Sequence, residues 1–202
     1  MQSATELDGG ETTSKLPTRA WLTPIVVAVL AGGGASTVVL TGTDVSVIAA
    51  LREMGQPGMI GVLLTLWGAG SAIGGLTYGA IRRTIPVFVL LLLLAGTTGL
   101  LVFTQTPLTF GIVLVVAGFF CAPTLSATSD SLSRVVPARV RGEAMGWHGS
   151  ALTTGSAVGA PLAGAAIDLA GWQGGFVATA ALGVAVALSG LVAIGLRRLW
   201  RR

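Results

Sequence analysis

One acidic side chain lies inside a long apolar segment of this chain. Asp44 falls toward the end of an apolar run that begins near residue 23. A charged side chain at the centre of a membrane helix costs roughly 2.5–3.5 kcal/mol on insertion scales, and the cost falls toward the helix ends. A carboxyl group facing a cavity there could take up a proton or contact a cationic solute. A position at a water-filled mouth is the alternative that the sequence leaves open.

Three further polar side chains complete the set of substrate or proton-coupling candidates. His148 is the one histidine of the chain and could titrate near neutral pH. Its place beside Trp147 is also typical of a residue at the membrane interface. Thr124 and Ser126 follow Pro123 in an apolar run, where they could line a polar path or bond their own helix.

No constellation for covalent or metal chemistry accompanies these residues. The chain has one cysteine and one histidine, so neither an intrachain disulfide nor a His/Cys metal cluster can form. The run "GGGAS" at residues 32–36 follows no predicted strand and is no phosphate-binding loop. We therefore predict that the protein is not an enzyme and binds no cofactor or metal.

The composition predicts that lipid is the solvent for most of the chain. Of the 202 residues, 52% are apolar and 10% are charged, whereas soluble domains have about 25% charged residues. The isoelectric point is near 10.6, but the arginines form short clusters between apolar runs and no nucleic-acid-binding motif is present. Nucleic acid is therefore excluded as a partner, and the lipid bilayer is predicted as one.

Six segments are long and apolar enough to cross a membrane as helices, which needs about 20 residues each. We predict an all-α integral membrane protein with a six-helix bundle over residues 21–202. Residues 1–20 are polar and are predicted to form a disordered cytoplasmic tail. The predicted spans cover about residues 23–47, 58–80, 86–103, 108–128, 146–167 and 175–196.

The basic residues predict the orientation, because short cytoplasmic loops carry an excess of Lys and Arg. Six spans place eleven of the twelve basic residues on one side, with Arg52 alone on the other. We therefore expect a multi-pass protein of the cell membrane with both termini in the cytoplasm. The predicted cytoplasmic loops contain Arg82, Arg83, Arg139 and Arg141.

Two segments 85 residues apart resemble each other. Residues 70–80 are "GSAIGGLTYGA" and residues 155–165 are "GSAVGAPLAGA", with six identical positions. This offset maps the first three spans onto the last three. Because three crossings reverse the direction of the chain, the copy would lie inverted in the membrane, as in many transporters, where the substrate path lies at the repeat interface.

Small residues in these segments predict close helix contacts. Membrane helices approach one another where small residues share a face. Static packing and a sliding contact during transport are both open at this point. The predicted packing or gating positions are Gly70, Gly74, Gly155, Gly159, Pro161 and Gly164.

Three stretches resemble the major facilitator superfamily of transporters, and specifically its C-terminal six-helix half in a drug- or sugar-efflux-like branch. They are "GTDVSVIAAL" at residues 42–51, "LLTLWGAGSAIGGLTYGAIRR" at residues 63–83 and "VPARVRGEAMGWHGSALTTGSAVGAPLAGAAID" at residues 136–168. The resemblance implies a half-size transporter that moves a small organic solute or drug, coupled to protons. It also implies that residues 1–20 correspond to the linker between two halves.

The resemblance has two departures and leaves the partner open. The loop that carries the family's acid and basic residues is Gly79-Ala80-Ile81-Arg82-Arg83 here, without the acid, and residues 155–161 have one extra residue before the proline of the antiporter motif. Because a full pathway needs two bundles, we expect either a second six-helix half or a homodimer. A truncated chain, or a membrane scaffold that does not transport, is the alternative.

Overall fold

The structure of the protein is a computed structural model that describes residues 21–81 and 85–200, without the side chains of residues 196–200. The predicted tail and the predicted loop arginines Arg82 and Arg83 lie outside the described residues.

The described part of the chain is helical and contains no strand. Short 3₁₀ turns precede or extend several helices, at Pro57–Met59, Leu101–Phe103 and Ala138–Val140. The five helices are α1 (Pro24–Glu53), α2 (Ile60–Ala80), α3 (Val87–Leu100), α4 (Pro107–Val135) and α5 (Arg141–Trp200).

Capping residues explain where two of the long helices begin. The Thr23 side chain accepts a hydrogen bond from the Val26 amide, and Pro24 occupies the first turn of α1. Thr106 and Thr109 form a capping box at the start of α4, with Pro107 between them. The first backbone amides of a helix have no carbonyl partner within the helix, and these caps supply one.

The fifth and sixth predicted spans lie within the helical residues Arg141–Trp200, labelled α5, which a break divides into two limbs. Its helical geometry is interrupted only at Ala170 (φ −140°, ψ 20°) and Gly171 (φ 69°, ψ −174°). The left-handed φ of Gly171 favours glycine, which has no Cβ to clash. The predicted loop at residues 171–175 is therefore shorter than expected, because helical geometry resumes directly after Gly171. We call residues 141–169 the first limb of α5 and residues 172–200 the second limb.

Helix α1 packs against both limbs, which run in opposite directions beside it. Toward the first limb, its residues Gly34 and Val38 face Gly155 and Gly159 in the same order. Toward the second limb the residue numbers run in opposite directions: Ser46 faces Gly175, whereas the earlier Val39 faces the later Gly183. The break at Gly171 thus turns the chain back on itself, and α1 fills the space beside the turn.

Apolar clusters hold the two ends of the bundle. At one end, Phe110, Trp172 and Phe176 are mutually edge-to-face, with ring centroids 6.0 Å apart. This geometry stabilises the cluster in addition to the burial of the rings. At the other end Trp21, Leu132 and Val140 belong to a second buried cluster. Helix α4 contributes to both clusters, so it fixes the two ends relative to each other.

The surface of the bundle is apolar. Helix α2 buries only Leu63, Gly70 and Gly74, while Leu76 is 77% exposed. By length and composition, α1, α2 with its 3₁₀ turn, α4 and α5 could cross a membrane, and residues Val87–Phe103 form a shorter apolar helix. An apolar surface on this scale suits lipid rather than water as the surroundings.

Candidate functional site

Asp44 lies on α1 and is half-buried. At 1.5 Å per residue it is about 8 Å beyond the midpoint of the helix, toward Glu53. Among the residues that the structure describes, no cation or hydrogen-bond donor pairs with its carboxyl group. An acid without a partner inside an apolar helix is costly and most often marks a functional site.

A polar cluster forms beside Asp44 where three helices meet. The Cys121 thiol of α4 lies near both the Asp44 carboxyl group and the Ser71 hydroxyl of α2. Trp67, one turn before Ser71, packs against the buried cluster that contains Cys121. Its indole Nε1 is buried and has no partner among the described residues. We call Asp44, Trp67, Ser71 and Cys121 the acid cluster.

The acid cluster offers complementary groups to a solute. Asp44 supplies a negative charge or, when protonated, a donor, and the Trp67 indole supplies an N–H donor beside an aromatic face. Helices α1 and α2 touch each other little and are joined mainly through α4, so these groups come from helices that meet through α4. Three of the four residues were missed by the sequence reasoning; only the place of Ser71 in the repeated segment hinted at one.

Thr124 and Ser126 lie on α4 in different surroundings. Thr124 is fully buried, and its hydroxyl donates to the Phe120 carbonyl oxygen at 2.6 Å. Ser126 is exposed. Thr124 therefore bonds its own helix, the second of the two alternatives that the sequence left open, and neither residue belongs to the acid cluster.

His148 is buried, with 5% of its surface exposed, whereas the adjacent Trp147 is 49% exposed. Its Nε2 lies 2.9 Å from the Thr128 hydroxyl of α4. That hydroxyl also lies 2.7 Å from the Leu125 carbonyl oxygen; when it donates its one hydrogen there, the histidine Nε2 is the donor of the bond between the two side chains. His148 thus joins the first limb of α5 to α4 through a buried contact.

The structure does not bring His148 and Asp44 together. His148 also faces Gly33 of α1, where a Cβ would lie 3.4 Å from Nε2. Asp44 follows Gly33 by eleven residues, which is about 16 Å along the helix axis. The candidates therefore divide into an acid cluster and a separate histidine contact nearer the start of α1.

We expect the His148–Thr128 hydrogen bond to stabilise the contact between α5 and α4. Replacing both residues (His148→Phe and Thr128→Val) should show a coupling of about 1 kcal/mol in a double-mutant cycle, because each single change already loses the shared bond. Unfolding of the purified protein in detergent measures the four variants. Strictly additive effects of the two changes would contradict the bond.

Glycines bring α2 and α4 into backbone contact. A Cβ built at Gly70 or Gly74 would overlap the carbonyl groups of Val115 and Phe119, and one built at Gly118 would overlap the carbonyl oxygen of Trp67. Only hydrogen fits in these places. The contact needs glycine for space, which is the purpose of small residues between membrane helices.

The first limb of α5 contacts α1 through corresponding positions. A Cβ at Gly155 would overlap the Gly34 carbonyl, and one at Gly159 would lie 2.8 Å from the Val38 carbonyl oxygen. In both contacts the glycines are four residues apart and so are the carbonyl partners. The packing of α2 on α4 therefore resembles that of the first limb on α1.

One position of the two contacts differs. Where Gly118 of α4 meets the Trp67 carbonyl, the corresponding place on α1 has Thr37, whose hydroxyl shares its one hydrogen between the Leu152 carbonyl oxygen at 2.8 Å and the Gly34 carbonyl oxygen of its own helix at 2.9 Å. The hydrogen bond to Leu152 joins two helices. It gives the contact between α1 and α5 a polar anchor that the other contact lacks.

Thr37→Val is expected to destabilise the folded protein by about 0.6 kcal/mol, and at most about 1.7 kcal/mol, as for other hydrogen bonds between membrane helices. Thr97→Val is the matched control, since the Thr97 hydroxyl bonds only carbonyl oxygens of its own helix. Denaturant titration of both variants in one detergent makes the comparison. An equal loss in the two would show that the bond to Leu152 adds nothing.

The other predicted packing positions lie outside these contacts. Pro161 is exposed, and nothing lies within 4 Å of a Cβ built at Gly164. Both lie on the first limb but face away from α1, so the close contact does not include them. Arg139 and Arg141 are exposed on either side of the buried Val140, at the end of the bundle where α1 begins.

Comparison with known families decides what kind of protein carries these features. The family model of the Major Facilitator Superfamily matches residues 25–201. The chain belongs to the Major Facilitator Superfamily. No curated protein and no solved structure shows a significant match.

Membership of the superfamily confirms the coarse prediction made from the sequence. Members of the Major Facilitator Superfamily are membrane transporters rather than enzymes, and the apolar helices of this chain suit a multi-pass membrane protein. The unpaired Asp44 therefore lies on a helix of a transporter-family protein.

Proposed function

We propose that the protein is a half-size secondary active transporter that moves a small organic solute or drug, coupled to protons, with Asp44 as the coupling carboxyl group. The observation that carries the proposal is the acid cluster. It places an unpaired acid, a thiol, a hydroxyl and an unpartnered indole N–H on three helices of a transporter-family chain.

The lack of a partner for Asp44 is what suits it to coupling. A carboxyl group held by a fixed cation would stay charged throughout a transport cycle. Without one, its charge depends on whether water or a solute reaches it, since an isolated charge is poorly tolerated away from water. Proton uptake and solute binding at one group can then be linked, as alternating access to a midplane site requires.

The six predicted crossings are part of this proposal. Each limb of α5 has 29 residues by the position of the break, or about 43 Å of helix, which exceeds the roughly 30 Å hydrocarbon core. If each limb crosses once, both chain ends lie on the basic, cytoplasmic side of the cell membrane. The matching glycine contacts of α2 with α4 and of the first limb with α1 support an inverted repeat of three helices.

A second bundle completes the proposed pathway. Helix α2 leaves most of its surface bare, including Leu66 and Ile73. Nothing lies within 4 Å of a Cβ built at Gly61, Gly68 or Gly79, so the described bundle makes no use of these glycines. A second six-helix half or a second copy of this chain would cover this face and form the other wall of the path.

Transport by the purified chain in proteoliposomes tests the proposal. With an imposed pH gradient, we expect accumulation of one member of a panel of organic solutes, together with proton movement reported by a dye inside the vesicles. Crosslinking between copies in the same vesicles would show whether a homodimer carries the activity. Folded protein that moves neither protons nor any solute would contradict the proposal.

A membrane scaffold without transport is the second candidate, and the tightness of the glycine contacts favours it. The carbonyl groups at Gly74 and Gly155 lie where a Cβ would be, which leaves little room for the helices to slide. The scaffold hypothesis gives no role to the unpaired Asp44, however, so transport remains the better account of the whole chain.

A further inference from the structure

An open groove lies between the two limbs of α5, with α1 as its floor. It has a volume of about 610 Å³ and runs along α1 from Val27 to Val38. Trp147 and Val158 lie near the two ends of its first-limb wall, and Leu182 belongs to its second-limb wall. The groove is separate from the acid cluster, which lies among α1, α2 and α4.

The lining of the groove is apolar. Its polar side-chain groups are the Ser150 and Thr154 hydroxyls and the indole N–H of Trp147, and the Thr154 hydroxyl is already bonded to the Ser150 carbonyl oxygen at 2.8 Å. None of the lining residues is acidic, basic or histidine. A polar solute would lose its hydration there and gain few partners, so the groove suits an apolar ligand.

The length of the groove distinguishes an acyl chain from a helix. Val27 and Val38 are eleven residues apart, or about 16 Å along the axis, which is half of the roughly 30 Å hydrocarbon core. Toward the break at Gly171 the limbs converge, with Gly175 against Ile167. A transmembrane helix of a partner would need a groove of the full thickness, whereas a lipid tail spans one leaflet.

Positive charge lies at the open end. Leu22 lines the groove and packs against the buried cluster that contains Val140. The residues on either side of Val140 are Arg139 and Arg141, both exposed, while Glu143 is the one acid in the first turn of α5. Basic side chains at the open end of the groove favour the binding of lipids with anionic headgroups over lipids with neutral ones.

We propose that this groove binds an acyl chain of an anionic phospholipid, with its phosphate near Arg139 and Arg141. Because surrounding lipid is as apolar as the groove, burial alone gives no preference for it. The selectivity comes from close packing along α1 and from the charge at the open end.

Photolabelling of the full chain tests this site. The protein is reconstituted in phosphatidylethanolamine vesicles that contain phosphatidylglycerol with a photoactivatable diazirine on its acyl chain, and the labelled residues are mapped by mass spectrometry. We expect labels concentrated within residues 27–38 and 147–158. Uniform labelling of α2, α3 and α5 would overturn the proposal.

Substitutions by larger side chains that fill the groove provide variants for the same labelling experiment. Ala31 is exposed and lines the groove, so Ala31→Trp should lower labelling about tenfold, the effect of roughly 1.4 kcal/mol. Thr154→Phe fills the groove from the opposite wall, in case the first variant folds poorly. Ala181→Trp is the control, because Ala181 is exposed on the second limb but outside the lining. Equal labelling of all three variants would overturn the site.

A second probe separates the headgroup from the tail. Phosphatidylcholine with the same diazirine chain should label the groove several-fold less than phosphatidylglycerol, and Arg139→Gln with Arg141→Gln should remove that difference. Equal labelling by both lipids in the unaltered protein would overturn the anionic assignment. None of these readouts requires transport, so failure of the proposed function would leave the result unaffected.

Discussion

Asp44→Asn is expected to reduce proton-driven solute accumulation in proteoliposomes to the level of protein-free vesicles. An amide is close in size to the carboxyl group but cannot take up and release a proton. Exchange of solute across the membrane without a pH gradient should persist, because the rest of the acid cluster is unchanged. The measurement is uptake with and without a gradient, in the same vesicle preparation.

Two variants define the specificity of that result. Asp168→Asn removes an exposed acid near the break in α5 and should leave gradient-driven uptake intact. Asp44→Glu keeps the carboxyl group and should retain part of the activity. Unchanged accumulation in Asp44→Asn would rule out Asp44 as the coupling group, even if the protein proved to be a transporter.

Gly74→Ala and Gly155→Ala are expected to destabilise the fold strongly, although each adds a single methyl group. The new Cβ would overlap a backbone carbonyl of α4 in the first case and of α1 in the second. Neither helix can yield locally, so we expect a loss of about 3 kcal/mol, at the upper end of overpacking effects. For a protein of this size that corresponds to a fall in Tm of roughly 6–12 °C.

Matched glycines on the same helices provide the controls. Nothing lies within 4 Å of a Cβ at Gly68 of α2 or Gly164 of the first limb. Gly68→Ala and Gly164→Ala should be neutral or slightly stabilising, because alanine is the better helix former. Thermal unfolding in one detergent compares the four variants. A similar change in Tm for all of them would mean that helix propensity, rather than backbone contact, governs these positions.

Close helix contacts could be predicted only in part from the sequence. The repeated "GSA" segments indicated that α2 and the first limb of α5 pack through small residues, and Gly74 and Gly155 do meet backbone carbonyls. The pattern could not tell which helix supplies those carbonyls. It also could not separate Gly155 from Gly164, because a one-dimensional pattern does not show which side of a helix meets a neighbour.

Polar residues were the least predictable part of the candidate site. Asp44 stood out because an acid in an apolar run is rare, and His148 because it is the one histidine. Burial of His148 against Thr128 depends on the packing of α5 on α4, twenty residues away in the chain. Trp67 and Cys121 gained significance only when α1, α2 and α4 came together around Asp44.

The sequence by itself determined that this chain is an all-helical, multi-pass membrane protein of a transporter superfamily, because apolar runs without charges can satisfy their backbone groups in lipid only as helices. It did not determine how short the turn between the last two predicted spans is, since hydropathy cannot show that a break at Ala170 and the left-handed Gly171 suffices to reverse the chain. Only the tertiary structure decided which polar groups share a site. Contacts between distant helices depend on the side that each helix presents, and that is settled by packing rather than by composition.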